Sequence, residues 1–225
     1  MCSPSINTIQ KELPFNYRGQ YTQEPNFCES PTKPTYQQAA IHTFVTAKNN
    51  VYNYHMNFSN NQHHLLGTTL NDFTVFCAEH DLPKYRAKQV FEWVYTKGVS
   101  NFVEMSNLSK PLREMLAEHW VINTGKEIRR QQASDGTIKL LLEWPDSVTS
   151  ECVLISEDRR RTACISSQVG CPVGCQFCAS GLGGLQRNLT AGEMVEQAMS
   201  IRRLCEPIHR LNNIVLMGLG EPLTN

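Results

Sequence analysis

The chain has 225 residues, and its 21 Lys and Arg are balanced by 21 Asp and Glu, so any contact with nucleic acid must come from local patches rather than from net charge. No apolar run approaches the roughly 20 residues that a membrane-spanning helix needs. Nine cysteines, an odd count with no secretory signal before them, argue against a disulfide framework and for a reducing, cytoplasmic setting.

Residues 1–66 are rich in Asn, Gln, Ser, Thr, Pro and Tyr and keep neither a 3.6 nor a 2.0 period, which predicts a poorly ordered leader. Met56 is an alternative start. Cys2, Cys28 and the pair His63-His64 stand in this segment without further ligands at metal-site spacing and are expected to be incidental.

Residues 67–125 are predicted to form a small helical domain. Thr69 caps a first helix carrying Leu70, Phe73 and Phe76 and ending before Pro83. A second helix spans Lys84 to Lys97, with Tyr85, Val90, Phe91, Val94 and Tyr95 on its apolar face and Gly98 as its stop. Ser109 and Pro111 open a third, with Leu112, Met115, Leu116 and Trp120. On the second helix, Lys84, Arg86, Lys88 and Lys97 can meet phosphates or form a solvated face. Trp93 and Tyr95 can stack on bases or pack in a core.

After Lys126 the period becomes that of strands. Asp135-Gly136 is a turn signal leading into Thr137 to Glu143, a turn follows at Pro145-Asp146, and a second strand runs from Glu151 to Ser156. Residues 126–160 are thus expected to be a β-hairpin linking two domains. Taken on its own, Glu151 is an ordinary exposed strand carboxylate.

The segment Cys164 to Arg187, CISSQVGCPVGCQFCASGLGGLQR, concentrates the chemistry. Cys171, Cys175 and Cys178 follow the order C-x3-C-x2-C, and three thiolates so close along one loop can hold a [4Fe-4S] cluster with one iron left open for a second ligand. Gly170 and Gly174 ease the tight turns such a loop needs. A structural zinc site would need a further ligand pair downstream, and only Cys205 and His209 follow, at unsuitable spacing. Thr190 to Glu193, TAGE, is a capping box opening a helix through Met194, Val195, Ala198, Met199 and Ile201. Asn213 to Met217 is predicted to be a buried parallel strand. The string after it, Gly218-Leu219-Gly220-Glu221-Pro222, lacks the helix start that a dinucleotide site requires.

The C-x3-C-x2-C order resembles the signature of radical S-adenosylmethionine enzymes. The wider string CISSQVGCPVGCQFCASG…RNLTAGEMVEQ resembles one family within them, the RlmN-type adenine RNA methyltransferases, from about Thr69 to Asn225. The resemblance implies an α/β protein: an N-terminal helical accessory domain that helps hold RNA, the linking hairpin, and over 161–225 the first part of a radical SAM partial (β/α) barrel. Thr162 to Gln168 would be its first strand, delivering the cluster loop. It also implies Cys171, Cys175 and Cys178 as ligands of a [4Fe-4S] cluster and Gly220 and Glu221 as contacts for the methionine part of S-adenosyl-L-methionine. Glu151, 13 residues before Cys164, matches the proton acceptor. Cys164, on its own a small buried hydrophobe, matches the cysteine that releases the RNA adduct by forming a disulfide bond with a methyl-carrying cysteine. That second cysteine is expected beyond Asn225, so the chain alone is expected to be incomplete. The implied activity is methylation of carbon 2 of adenine in 23S rRNA and in tRNA beside the anticodon, with an electron donor such as flavodoxin and no membrane partner. Alternatives are a Cfr-like carbon-8 methyltransferase, or an inactive fragment that binds RNA or cluster only. Cys77, Cys152 and Cys205 are expected to be packing residues.

Overall fold

The computed structural model describes residues 62–205 and 210–225. Cys2, Cys28, His209 and the greater part of the predicted leader lie outside the described residues. The end of that leader does not: β1, His63–His64, pairs in parallel with β2, Trp120–Val121. Leu65 and Leu66 are 0% and 4% exposed. The fold therefore begins before residue 66, because two leucines there complete the helical core.

Three helices surround that core. In α1, Leu70–Glu79, Thr69 caps as expected, its hydroxyl accepting from the Asp72 amide at 3.2 Å. The second helix changes hand-hold midway. It is α-helical in α2, Tyr85–Phe91, and continues as a π-turn over Glu92–Thr96, where the Lys97 amide reaches back to the Glu92 carbonyl. Gly98 then ends it at φ 72°. In α3, Lys110–His119, proline stands in the first turn, while Ser109 makes no side-chain cap. Trp120 is not on that helix as predicted: it opens β2 and lies edge-on to Phe73 and Phe76 in the core.

Residues 126–160 form three strands rather than a two-stranded linker. These are β3 (Lys126–Gln132), β4 (Ile138–Glu143) and β5 (Thr149–Ser156), an antiparallel meander. The meander continues directly into β6 (Arg161–Cys164), which pairs antiparallel with β5 and parallel with β9 (Asn213–Val215). The sheet order is β3-β4-β5-β6-β9. The expected strand 162–168 divides after Cys164: β7 (Gln168–Gly170) pairs instead with β8 (Leu185–Asn188), forming the stem of the three-cysteine loop. The predicted strand at 213–217 is present but shorter, and it is not buried. Ile214 is 56% and Met217 77% exposed, because among the described residues β9 is a sheet edge.

Helix α4, Ala191–Cys205, lies against β5 and β6. The TAGE capping box is formed reciprocally, with the Thr190 amide donating to Glu193 Oε2 at 2.7 Å and the Glu193 amide to Thr190 Oγ1 at 3.2 Å. Met199 joins the helical core, whereas Ala198, Ile201 and Cys205 pack with Leu140, Cys152, Leu154 and Ala163 of the sheet. One helix thus serves both cores. No described helix is long and apolar enough to cross a membrane.

Glu196 joins the two layers. Its carboxylate, 2% exposed, accepts from the Thr124 amide and hydroxyl and from the Gly125 amide at 2.8 to 3.0 Å, and stands 3.3 Å from His64 Nε2. His64, expected to be incidental, is part of this joint and also contacts the Ile122 carbonyl at 3.1 Å. Arg202 completes it by donating to the Tyr95 and Thr96 carbonyls at the end of the π-turn. A buried charged acceptor that leaves its donors stranded when removed costs several kcal/mol. Glu196→Ala is therefore expected to lower the unfolding free energy by about 2–4 kcal/mol in urea denaturation. Glu114→Ala, which removes an exposed pair with Lys110 at 3.7 Å, is expected to change it by about 0.5 kcal/mol or less.

Candidate active site

Side-chain alternation places the expected residues on one side of the sheet. In β5, Ser150, Cys152 and Leu154 are buried toward α4, so Glu151 and Val153 face the other way. Val153 is the cross-strand partner of Cys164, which puts Glu151 and Cys164 on the same face as diagonal neighbours, about 7–8 Å apart between Cα atoms. That face is the one α4 leaves open. Lys139, the partner of Val153 on β4, shares it and holds Glu151 Oε1 at 3.0 Å. No sequence feature singled out Lys139, because its pairing depends on strand register.

Cys164 ends β6 beside Val215. Burial pushes its thiol up from the ordinary range, while a backbone hydrogen bond from Met217 works in the opposite direction. Cys152, facing α4, is pushed further, to about 12, first by burial and then by neighbouring negative charge. It is a packing residue, as are Cys77 and Cys205, both buried. Cys77, Cys152, Cys164, Cys171, Cys175 and Cys178 are free thiols.

Beyond Cys164 the regular ladder ends: Ile165 still bonds through its backbone to Val215 and Gly218, and at Ser166 side chains take over the role of strand partner. Gln197 of α4 accepts from the Ser166 amide at 2.9 Å and donates to the Ser166 carbonyl at 3.0 Å. The Ser166 hydroxyl donates to the Glu151 carbonyl at 2.6 Å and accepts from the Leu219 amide at 2.9 Å. The amides of Ser167 and Gln168 donate to the Leu219 carbonyl. The turn at 218–222 is thereby laid along the root of the cysteine loop. Gly220, at φ 100°, could not carry a side chain, since a Cβ would stand 2.6 Å from the Gln168 Cβ. The Glu221 amide donates to Gln168 Oε1 at 2.9 Å.

The loop itself leaves the β7–β8 stem at Gly170, where φ is 78° and any side chain would collide with the Gly184 carbonyl. Cys171 is half-buried; Cys175 and Cys178 are exposed. The Cys178 amide donates to the Cys175 carbonyl at 3.1 Å, and hydrogen bonds from the Ser180 side chain and backbone lower the Cys178 thiol below its ordinary range. Among the described residues no three His, Cys, Asp or Glu side chains are gathered around a common point. The three thiols share one short exposed loop rather than a formed socket. Their chemistry nevertheless fits an iron-sulfur cluster: three soft donors at close spacing on one loop, one of them with its thiol held below the ordinary range.

Arg187 of β8 anchors the far side of the stem. It makes two bonds to Glu193, at 2.8 and 2.9 Å, and two to Asp146, at 2.5 and 3.1 Å. Burial opposes its charge, but the bonds to Glu193 and Asp146 outweigh that opposition and hold its pKa above the ordinary value. Burial likewise acts to raise Asp146, and the hydrogen bond from Arg187 holds it below the usual carboxylate range.

In the helical region, Lys84 and Lys88 are exposed. Arg86 is engaged with Gln89 at 2.7 Å. Lys97 lies over the Trp93 ring at 3.5 Å, and Trp93 Nε1 donates to Asn107. Trp93 is thus occupied internally, while Tyr95 stays 36% exposed.

An α/β sheet that brings a three-cysteine loop and a glycine-rich turn together beyond a parallel strand pair is the arrangement of a radical SAM enzyme. Consistent with this, a radical SAM methyltransferase from Sphaerobacter thermophilus superposes with a TM-score of 0.70 at 43% identity, covering 72% of this chain and 48% of that one. The family described as ribosomal RNA large subunit methyltransferase N-terminal domain, RlmN_N, matches residues 63–122. A probable dual-specificity RNA methyltransferase RlmN of Staphylococcus epidermidis is 47% identical over 148 residues, 65% of this chain and 41% of the relative. The corresponding protein of Halalkalibacterium halodurans is 46% identical over 155 residues, 68% and 43%. In sequence and in fold the chain is thus similar to the RlmN family of radical SAM RNA methyltransferases, and it spans less than half the length of these relatives.

Two outcomes follow from the charge states. Because the folded state holds Asp146 below its unfolded pKa, its contribution is present above the ordinary carboxylate range and is lost as pH falls through the lower, folded value. Arg187→Gln is accordingly expected to cost about 1–3 kcal/mol at neutral pH in urea denaturation. The gap from the parent should narrow below about pH 4. In the cluster-free chain at about pH 8, iodoacetamide is expected to label Cys178 well before Cys164 and Cys152, since the thiolate is the reactive form. Peptide mass spectrometry reads the order, and equal rates would contradict it.

Proposed function

We propose that this protein is the part of a radical SAM methyltransferase that builds the iron-sulfur end of the site, acting on carbon 2 of adenine in 23S rRNA and in tRNA beside the anticodon. What supports this most is the shared open face of the sheet: Glu151 and Cys164 lie on it as neighbours, and Cys164 leads straight into the three-cysteine loop. Cys171, Cys175 and Cys178 hold the [4Fe-4S] cluster, and Gly220 and Glu221 hold the methionine end of S-adenosyl-L-methionine. The bound cluster, fed by a donor such as flavodoxin, supplies the electron that cleaves S-adenosylmethionine.

The chain's own side chains have separate tasks. Glu151 accepts the proton that carbon 2 must lose, and Lys139 orients that carboxylate along the open face. Cys164 gives up its proton and its sulfur attacks the sulfur of the methyl-carrying cysteine; that sulfur's bond to the product carbon breaks, the electron pair stays with the released adenine product, and the two sulfurs remain as a disulfide. The exposed Lys84 and Lys88 take RNA phosphates.

Anaerobic reconstitution is expected to give about four irons per chain, as one cubane requires. The combined Cys171→Ala, Cys175→Ala and Cys178→Ala variant is expected to retain less than about one-tenth of that iron and to lose the cluster absorbance, as thiolate ligation by this loop requires. An unchanged iron content in the triple variant would sink the assignment. Nucleoside mass spectrometry on RNA from a host lacking the modification, supplied with the complete coding region, distinguishes 2-methyladenosine from 8-methyladenosine.

A further inference from the structure

Gln168 is fully buried, at 0% exposure, and stands in the stem of the three-cysteine loop three residues before Cys171. Both ends of its amide are used. Oε1 accepts from the Glu221 amide at 2.9 Å, and Nε2 donates to Asn188 Oδ1 at 2.9 Å and Thr224 Oγ1 at 3.2 Å. Asn188 is its ladder partner across the stem, whereas Glu221 and Thr224 belong to the opposite segment. One side chain therefore bonds the loop that carries the thiols to the turn that carries Gly220 and Glu221. There is no slack between them, because Gly220 packs directly on the Gln168 Cβ.

A leucine would fill nearly the same volume without desolvating an amide, and a buried amide is tolerated only when its polar atoms are bonded. Direction, then, is what glutamine contributes here. We propose that Gln168 is a positioning residue that sets the register of the 220–221 edge against the cysteine loop, and so places S-adenosylmethionine relative to the cluster. This rests on the functional assignment above, in which the loop holds the cluster and the turn holds the methionine end.

The test has an arm that needs no cofactor. In the full 225-residue chain without cluster, hydrogen exchange at the Glu221 amide is expected to accelerate about tenfold in Gln168→Leu, the size expected for one lost buried hydrogen bond. Gln168→Glu, which keeps an acceptor for that amide, is expected to restore most of the protection. After reconstitution, Gln168→Leu is expected to keep the parent's iron content. Its affinity for S-adenosylmethionine should fall about tenfold, again the size of one lost hydrogen bond, and it should lose the change that this ligand causes in the electron paramagnetic resonance of the reduced cluster. Should Gln168→Leu not fold, Thr224→Val at an exposed position removes one anchor of the same amide and is expected to weaken both readouts in the same direction. Parent-like exchange and a parent-like spectral response in the variants would overturn the proposal. A parent chain that holds the cluster but shows no response to S-adenosylmethionine would overturn the functional assignment instead.

Discussion

The fold turns on a helix whose buried face is polar. Glu193, Glu196 and Gln197 of α4 are all buried, and each satisfies backbone that regular secondary structure leaves unpaired. Glu196 serves the crossing at 124–125, Gln197 serves Ser166, and Glu193 serves its own helix start and Arg187. Buried backbone groups without partners are costly, so these side chains determine where irregular chain can run through the interior. The bend after Cys164 depends on this, and so does the placement of everything beyond it.

The same requirement explains what the sequence revealed and what it hid. Thr69, the TAGE box and Gly98 act through local bonds and were legible from their neighbours alone. Cys171, Cys175 and Cys178 stand out as candidates because their spacing is itself chemical information, and Glu151 and Cys164 because the resemblance carries their separation. Long-range pairing left no such trace. Nothing near Lys139 announces that β4 aligns it with Val153, and nothing near His64 announces Glu196, which is over a hundred residues away in the chain. The run 162–168 contains no Gly or Pro to mark a break, yet it divides where Gln197 replaces a strand as the partner of Ser166. The meander was underestimated for a related reason: Lys126 to Gln132 is a polar edge strand, lacking the alternation that marks a half-buried one.

The thiols divide along the same structural lines. Those in the two cores, Cys77, Cys152 and Cys205, are buried among apolar neighbours and behave as small hydrophobes. Cys164 stands on the opposite face of the sheet, half-buried, and the loop cysteines stand outside it altogether. Residue type is constant across these positions, and reactivity is set by which surface each one meets.

Strand parity has an evolutionary consequence. Adding or removing a single residue within β5 or β6 would turn Glu151 or Cys164 into the packed interior and bring Cys152 or Ala163 out in its place. Such length changes are barred in the strands themselves. The connection between them, Glu157 to Arg160, is exposed throughout and closes on itself through backbone bonds between Glu157 and Arg160. At that tip a residue could be gained or lost without exchanging the two faces of the sheet, so strand parity constrains the spacing of Glu151 and Cys164 only within β5 and β6.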